Sequence, residues 1–215
     1  MNTPLIVLLI AWLAYFALHS LLAGLPIKRW VATQHAAWMP AYRLVYNTVA
    51  VLALLPVLWL SYAIDAPPLW QWHGWQAWVA NGLAMLALLG FLWSTRWYDG
   101  SEFLGLRQWR ERACRVEDQE KLHISPMHRF VRHPWYSLGL VLIWTRELNA
   151  PLLLGAIAIS LYFAIGSRLE ERKLICYHGD AYRQYRARVP GLIPLPWRWL
   201  SAADAEKLVN TDASA

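Results

Sequence analysis

The sequence predicts an all-α integral membrane protein with about five transmembrane helices, and three observations lead there. Hydrophobic residues make up 58% of the 215-residue chain and charged ones only 16%, against about 25% charged in an average soluble domain. The runs Leu5–Ala23, Leu44–Ile64 and Ala77–Trp93 contain no Lys, Arg, Asp or Glu, and each is close to the roughly 20 apolar residues that cross a bilayer. The cations outside these runs are distributed asymmetrically. A single soluble core could not hide uncharged runs of this length.

The first run is not expected to be a cleaved signal peptide. It has no positive n-region and exceeds the roughly 7–15 residues of an h-region. The next two runs are the second and third membrane helices. A further apolar region, residues 134–167, is interrupted at Arg146–Pro151 and is expected to form a helical hairpin of two shorter membrane helices, the first spanning only ~20 Å. Pro134 suits the first position of a helix, where a missing N–H costs nothing. Gly179 suits the residue just past a helix end. Asp180 can cap a short helix over 181–188, which Val189-Pro190 ends. Between residues 96 and 121 short surface helices are expected, with Glu111 and Arg115 at i,i+4 spacing. The expected organisation is one membrane domain over 1–200, with a cytoplasmic cofactor-binding half at about 96–196. A polar, small-residue tail over 201–215 is expected to be disordered.

Orientation follows from Lys and Arg. The loop Asp65–Gln76 has neither, whereas 96–133 carries Arg96, Arg107, Arg110, Arg112, Arg115, Lys121, Arg129 and Arg132. The positive-inside rule then puts the N-terminus outside, and 96–133 and the C-terminal tail in the cytoplasm, as in a bacterial inner-membrane protein. The net charge of +6 is explained by this topology, so no nucleic-acid partner is expected. Trp70, Trp72, Trp75 and Trp78 read as an outer interfacial belt. Cys114 and Cys176 both fall on the cytoplasmic side, where a structural disulfide is not expected, and no metal-ligand spacing is present.

The chemistry concentrates in two blocks. Arg132-His133-Pro134-Trp135-Tyr136 puts cations at a helix start, whose N–H groups and dipole favour an anion such as a cofactor carboxylate. The Tyr136 ring could then pack on a purine or a sulfonium. Glu170-Glu171 places two carboxylates where a membrane helix ends, costly positions if they face lipid. One of them, Glu170 by its shared face with Leu174, is expected to hold an amino group. Gly179, Tyr182 and Tyr185 form a turn and aromatic face that fold over it. His19, inside the first membrane helix, and His128, just before the Arg-His-Pro block, are the candidate catalytic bases.

These blocks resemble a known family. Arg132-His133-Pro134-Trp135-Tyr136, with Glu170-Glu171, Leu174, Tyr177-His178-Gly179, Tyr182, Tyr185 and Val189-Pro190, resembles the cofactor-binding half of isoprenylcysteine carboxyl methyltransferase-like membrane enzymes. His19-Ser20 with Ala23 and Lys28-Arg29, Tyr42–Asn47 and Phe103–Gln108 resemble methanethiol S-methyltransferases and NnrU-type membrane proteins. The resemblance implies a membrane enzyme using S-adenosylmethionine, with Arg132, His133, Pro134, Tyr136, Glu170, Glu171 and Tyr182 around the cofactor. Two departures narrow it: Ser125-Pro126-Met127-His128 replaces a Ser-Gly-x-Tyr turn, and Gly166 stands where the prenylcysteine enzymes carry an arginine for the substrate carboxylate. A prenylated-protein carboxylate is therefore not the expected substrate; a small or membrane-soluble acceptor reached from lipid is, a thiol first, with a carboxylate, amine or phenol as alternative acceptors. A nicotinamide-dependent membrane reductase and a non-enzymatic partner of the NnrU type are the alternatives.

Overall fold

A computed structural model describes residues 3–114, 116 and 122–213. The three uncharged runs form helices α1 (Thr3–Ala23), α3 (Tyr42–Ala63) and α4 (Trp75–Ser94). Between the first two lie α2 (Leu25–Gln34) and a 3-10 turn, Ala36–Ala41; Gly24 ends α1 and Pro26 opens α2. Short helices α5 (Gly100–Leu104) and α6 (Leu106–Arg110) follow, then α7 (Pro134–Trp144), α8 (Ala150–Arg188) and α9 (Ala202–Ala213). The strands are β1 (Pro68–Trp70) and β2 (Leu148–Asn149), paired antiparallel. Among the described residues four helical segments are long and apolar enough to cross a membrane: Thr3–Ala23, Ala36–Ala63, Trp75–Trp97 and Ala150–Arg188. Their large apolar side chains point outward, Trp59 at 69% and Trp78 at 83% exposure, as lipid-facing surfaces must. The protein is an all-α polytopic membrane protein.

The hairpin forms as expected, with unequal arms. At 11 residues, α7 is ~16 Å long, too short to cross a ~30 Å hydrocarbon core alone. The break between the arms holds β2, and Asn149 Oδ1 accepts from Leu152 N at 3.1 Å to cap α8. Gly179 leaves the helical region at φ 48°, dividing α8 at the predicted place.

The chain forms two compact units interleaved along the sequence. The first comprises Met1–Gln71, Tyr98–Asp118 and Glu147–Ala158. Here Tyr42 Oη donates to Leu22 O at 2.6 Å, and Tyr46 Oη bonds His19 Nε2 at 2.8 Å, tying α3 to α1. Asn47 Nδ2 donates to Phe103 O and Leu104 O at 3.0 and 3.2 Å, so the Tyr42–Asn47 and Phe103–Gln108 blocks meet. Gly105 makes that contact possible: its φ is 89°, and a Cβ there would lie 2.6 Å from Leu44 N. Gly105→Ala is therefore expected to cost about 1–3 kcal/mol from backbone strain alone. Thermal unfolding in detergent checks this, with Gly82→Ala as control, because nothing lies within 4 Å of a Cβ at Gly82. The expected Glu111–Arg115 pair involves Arg115, outside the described residues; Glu111 pairs with Arg107 at 3.2 Å.

The second unit comprises Trp72–Trp97, Gln119–Arg146 and Ile159–Ala215. Helix α7 packs on α4 through the side chain of Leu138 against Gly90, and Trp135 Nε1 donates to Ser94 Oγ at 2.9 Å. At the other end of α7, Arg146 Nη1 donates to Asn81 Oδ1 at 3.1 Å. The core gathers Leu122, Ala181, Tyr182, Tyr185, Val189, Leu200 and Leu208. Leu208 corrects the disordered-tail expectation over 202–213. Helix α9 is capped by Ser201, whose Oγ accepts from Asp204 N at 3.1 Å and donates to Asp204 Oδ2 at 2.7 Å; the helix buries Ala205 and Leu208 and pairs Asp212 with His178 Nδ1 at 2.9 Å. Its short Ser-x-x-Asp capping signal is masked by small, polar composition.

Candidate functional site

The second unit assembles most of the candidate residues around the start of α7. The segment before that helix runs beside the end of α8: Arg132 N donates to Pro190 O at 2.8 Å and His133 N to Gly191 O at 3.1 Å. This pairing fixes the backbone, so the Arg132 and His133 side chains meet α8. Arg132 Nε and Nη2 lie 2.8 and 2.7 Å from Glu171 Oε1. Arg132 Nη1 donates to Arg186 O at 3.1 Å and also to Val189 O. Those carbonyls belong to the negative end of α8's dipole. Arg132 thus clasps α8 rather than standing open to a ligand carboxylate. Gly191 leaves room for it, since a Cβ there would come within 3.3 Å of Arg132 Nη2.

His133 lies between both carboxylates. Its Nε2 is 3.1 Å from Glu171 Oε1 and its Nδ1 3.5 Å from Glu170 Oε2. Carboxylates facing both ring nitrogens call for a proton on each. Burial opposes the charged imidazole, but the two carboxylates outweigh it and raise the His133 pKa. The expectation that only one carboxylate reaches the Arg-His-Pro turn is corrected: Glu171 is buried, its side chain 8% exposed and held by Arg132 and His133, while Glu170 at 51% is the open one.

Tyr136 stacks nearly parallel with His133 and with Phe163, centroids 5.4 and 4.5 Å away. The ring neighbours of Tyr136 in the structure are thus protein rings of the α7 start and of α8. Tyr182, 2% exposed, is part of the core, its ring edge-on to Tyr185 at 5.6 Å; it supports the site from beneath. Pro134 is the first residue of α7, and His133 gives that helix no side-chain cap. Phe163, Arg186 (Nε 3.6 Å from Glu171 Oε2) and Gly191 were missed in sequence, because only tertiary packing brings them to the site.

His128 shares this unit. Its Nδ1 lies 2.7 Å from Ser125 Oγ, and Tyr185 Oη donates to its carbonyl at 2.6 Å. Burial first, then the neighbouring His123 and His133, lower its pKa to about 4. In this environment His128 is a weak base beside a thiol of reference pKa near 8.5. His19 belongs to the first unit, hydrogen-bonded to Tyr46. Among the described residues no group of three or more His, Cys, Asp or Glu is placed to hold a metal ion.

The two site histidines are shifted in opposite directions. His128 has a folded pKa near 4 against 6.5, so its contribution to stability is full above 6.5 and is lost as pH falls toward 4. At 1.36 kcal/mol per unit that is on the order of 3 kcal/mol. The raised His133 contributes fully below 6.5 and loses its contribution as pH rises through its folded value. Melting temperature in detergent should therefore peak between the two, His128→Asn flattening the acid limb and His133→Gln the alkaline one.

Fold and cluster together define a class: a polytopic helical membrane protein with a charged, partly buried site where a short helix begins. Its relatives define it further. The chain is 33% identical over 180 residues to methanethiol S-methyltransferase 2 of Bradyrhizobium diazoefficiens, covering 82% of this chain and 68% of that protein. It is 32% identical to the methanethiol S-methyltransferases of a Pseudomonas species and of Mycobacterium tuberculosis, over 89% and 84% of this chain and 74% of each relative. No protein-family model and no solved structure matches the chain. The chain belongs to the methanethiol S-methyltransferase family, and it is a methyltransferase. The reductase and partner-protein alternatives are thereby set aside.

Proposed function

We propose that the protein transfers a methyl group from S-adenosylmethionine to a small thiol of the methanethiol type, at the cytoplasmic face of a bacterial inner membrane. The observation that carries this reading is the 33% identity to a protein named methanethiol S-methyltransferase over 82% of the chain. The site chemistry fits the donor. Glu170 is a half-exposed carboxylate beside His133, suited to an ammonium group. The start of α7, without a side-chain cap, suits a carboxylate. S-adenosylmethionine, when bound, supplies a methyl already activated on a sulfonium.

What remains for the protein is positioning, with reacting atoms held ~3–3.5 Å apart, and exclusion of water. Arg132 and Glu171 hold the α7 start against α8, and His133 orients Glu170. In the transfer the thiol loses its proton, its sulfur gains the methyl carbon, and the donor's sulfur–methyl bond breaks. The cations along residues 96–133, Arg96, Arg107, Arg110, Arg129 and Arg132 among them, support a cytoplasmic placement of that segment by the positive-inside rule, with the N-terminus outside.

The test is purified protein in detergent. S-adenosylhomocysteine should raise the melting temperature, and methanethiol with S-adenosylmethionine should yield dimethyl sulfide. A thermal shift with a nicotinamide cofactor instead, or no product, would overturn the reading. Reporter fusions after Asp65, Gln108 and Ala202 test the orientation; an exported signal at Gln108 contradicts it.

A further inference from the structure

A cavity of about 340 Å³ lies along one face of α7. Pro134, Ser137, Leu138, Leu140 and Val141 line it from that helix, four of them at the i, i+3, i+4, i+7 spacing of one face. Met127, Phe130 and Val131 close it on one side, and Leu192, Ile193 and Pro194 on another. Ser137 is the one hydroxyl in this lining, and its Oγ is committed to His133 O and Leu192 O at 3.1 and 2.5 Å. The cavity therefore offers nothing to a polar ligand. It begins where the charged cluster begins: Val131 and Pro134 line it, and Arg132 and His133, between them in sequence, carry the ion pairs with Glu170 and Glu171.

Size decides what this space suits. Liquid water occupies about 30 Å³ per molecule, so the cavity has the volume of roughly ten waters. Methanethiol has one carbon and one sulfur and would leave most of it unfilled. The volume is at the lower end of the ~300–1,000 Å³ usual for small-molecule sites. Along α7 from Pro134 to Val141 it extends for ~10 Å, enough for a short alkyl tail.

We infer that this cavity is an acceptor subsite for the hydrocarbon tail of an alkyl thiol larger than methanethiol, entering from the lipid side. The inference rests on the thiol-methyltransferase reading and adds a substrate class to it. The transfer is unchanged in its balance: the thiol proton goes to water, the sulfur–carbon bond to the donated methyl forms, the donor's sulfur–methyl bond breaks, and an alkyl methyl thioether leaves. Each buried methylene adds about 0.8 kcal/mol, which at 1.4 kcal/mol per decade is up to about fourfold in affinity.

Initial rates with methanethiol, ethanethiol, butanethiol, hexanethiol and octanethiol test it in wild type, Val141→Trp and the milder Val141→Phe. Val141 lines the cavity and is outside the charged cluster. In wild type kcat/KM should rise by up to about fourfold per methylene until the cavity is full, then level. Filling the space at Val141 should lower the butanethiol-to-methanethiol ratio of kcat/KM at least tenfold while methanethiol turnover is kept. Using that ratio between variants cancels partition of longer thiols into detergent. Methanethiol turnover with a ratio unchanged by both variants would overturn the inference and leave the thiol reading standing. The same unchanged ratio with less co-purified phospholipid in Val141→Trp would assign the cavity to a lipid tail and equally overturn it. If no thiol of any length is methylated, the thiol reading fails and the inference with it.

Discussion

Arg132→Ala is expected to lower the melting temperature of the detergent-solubilised protein on the order of 10 °C, the largest stability loss of any single change at the site. The guanidinium and Glu171 are 11% and 8% exposed and 2.7 Å apart. Without Arg132 the buried Glu171 keeps only His133 and the more distant Arg186; breaking a buried pair costs about 3–5 kcal/mol, and a protein of this size loses about 2–4 °C per kcal/mol. The same side chain also holds the carbonyls of Arg186 and Val189, so its loss frees the end of α8 as well. Arg132→Lys should recover only part of the loss, because one ammonium cannot reproduce a planar fork that meets a carboxylate and two carbonyls at once. Full stability in Arg132→Ala would refute the clasp and return Arg132 to the ligand-facing role read from sequence.

What was legible in the sequence was what length and local chemistry decide. Uncharged runs long enough to span a bilayer gave α1, α3 and α4 to within a few residues. Pro134 marked the start of α7 and Gly179 the kink in α8, because each has a backbone reason to be there. Illegible were the features that need a partner distant in sequence. Pairing of β1 with β2 joins residues about 80 apart along the chain. Tyr136 stacks on Phe163. Leu174 could not decide between Glu170 and Glu171, since it lies i+4 from one and i+3 from the other and neighbours both on a helix. Arg132 and His133 made the choice, burying Glu171 among them. Helix α9 was lost to composition: small and polar residues suggested a tail, although two of its apolar side chains are buried.

Glu170→Gln is expected to weaken S-adenosylhomocysteine binding ten- to a hundredfold while leaving the melting temperature nearly unchanged. Glu170 is half exposed, and its contact is with His133 Nδ1 at 3.5 Å, a partly solvated pair worth little to the fold. Its carboxylate is the one the fold leaves open. A charge-assisted hydrogen bond to the ligand's ammonium is worth ~1.5–3 kcal/mol, which sets the expected range at 1.4 kcal/mol per decade. Glu171→Gln should behave differently. Glu171 Oε1 takes both Arg132 and His133, so the amide removes half of a buried ion pair and lowers the melting temperature, with affinity falling only as the scaffold loosens. Titrating both variants with S-adenosylhomocysteine, each beside its own melting curve, separates a ligand contact from a fold contact. Retained affinity in Glu170→Gln would sink the assignment of that carboxylate to the donor's amino group. Equal loss of affinity and stability in both variants would make the two carboxylates one structural unit around His133.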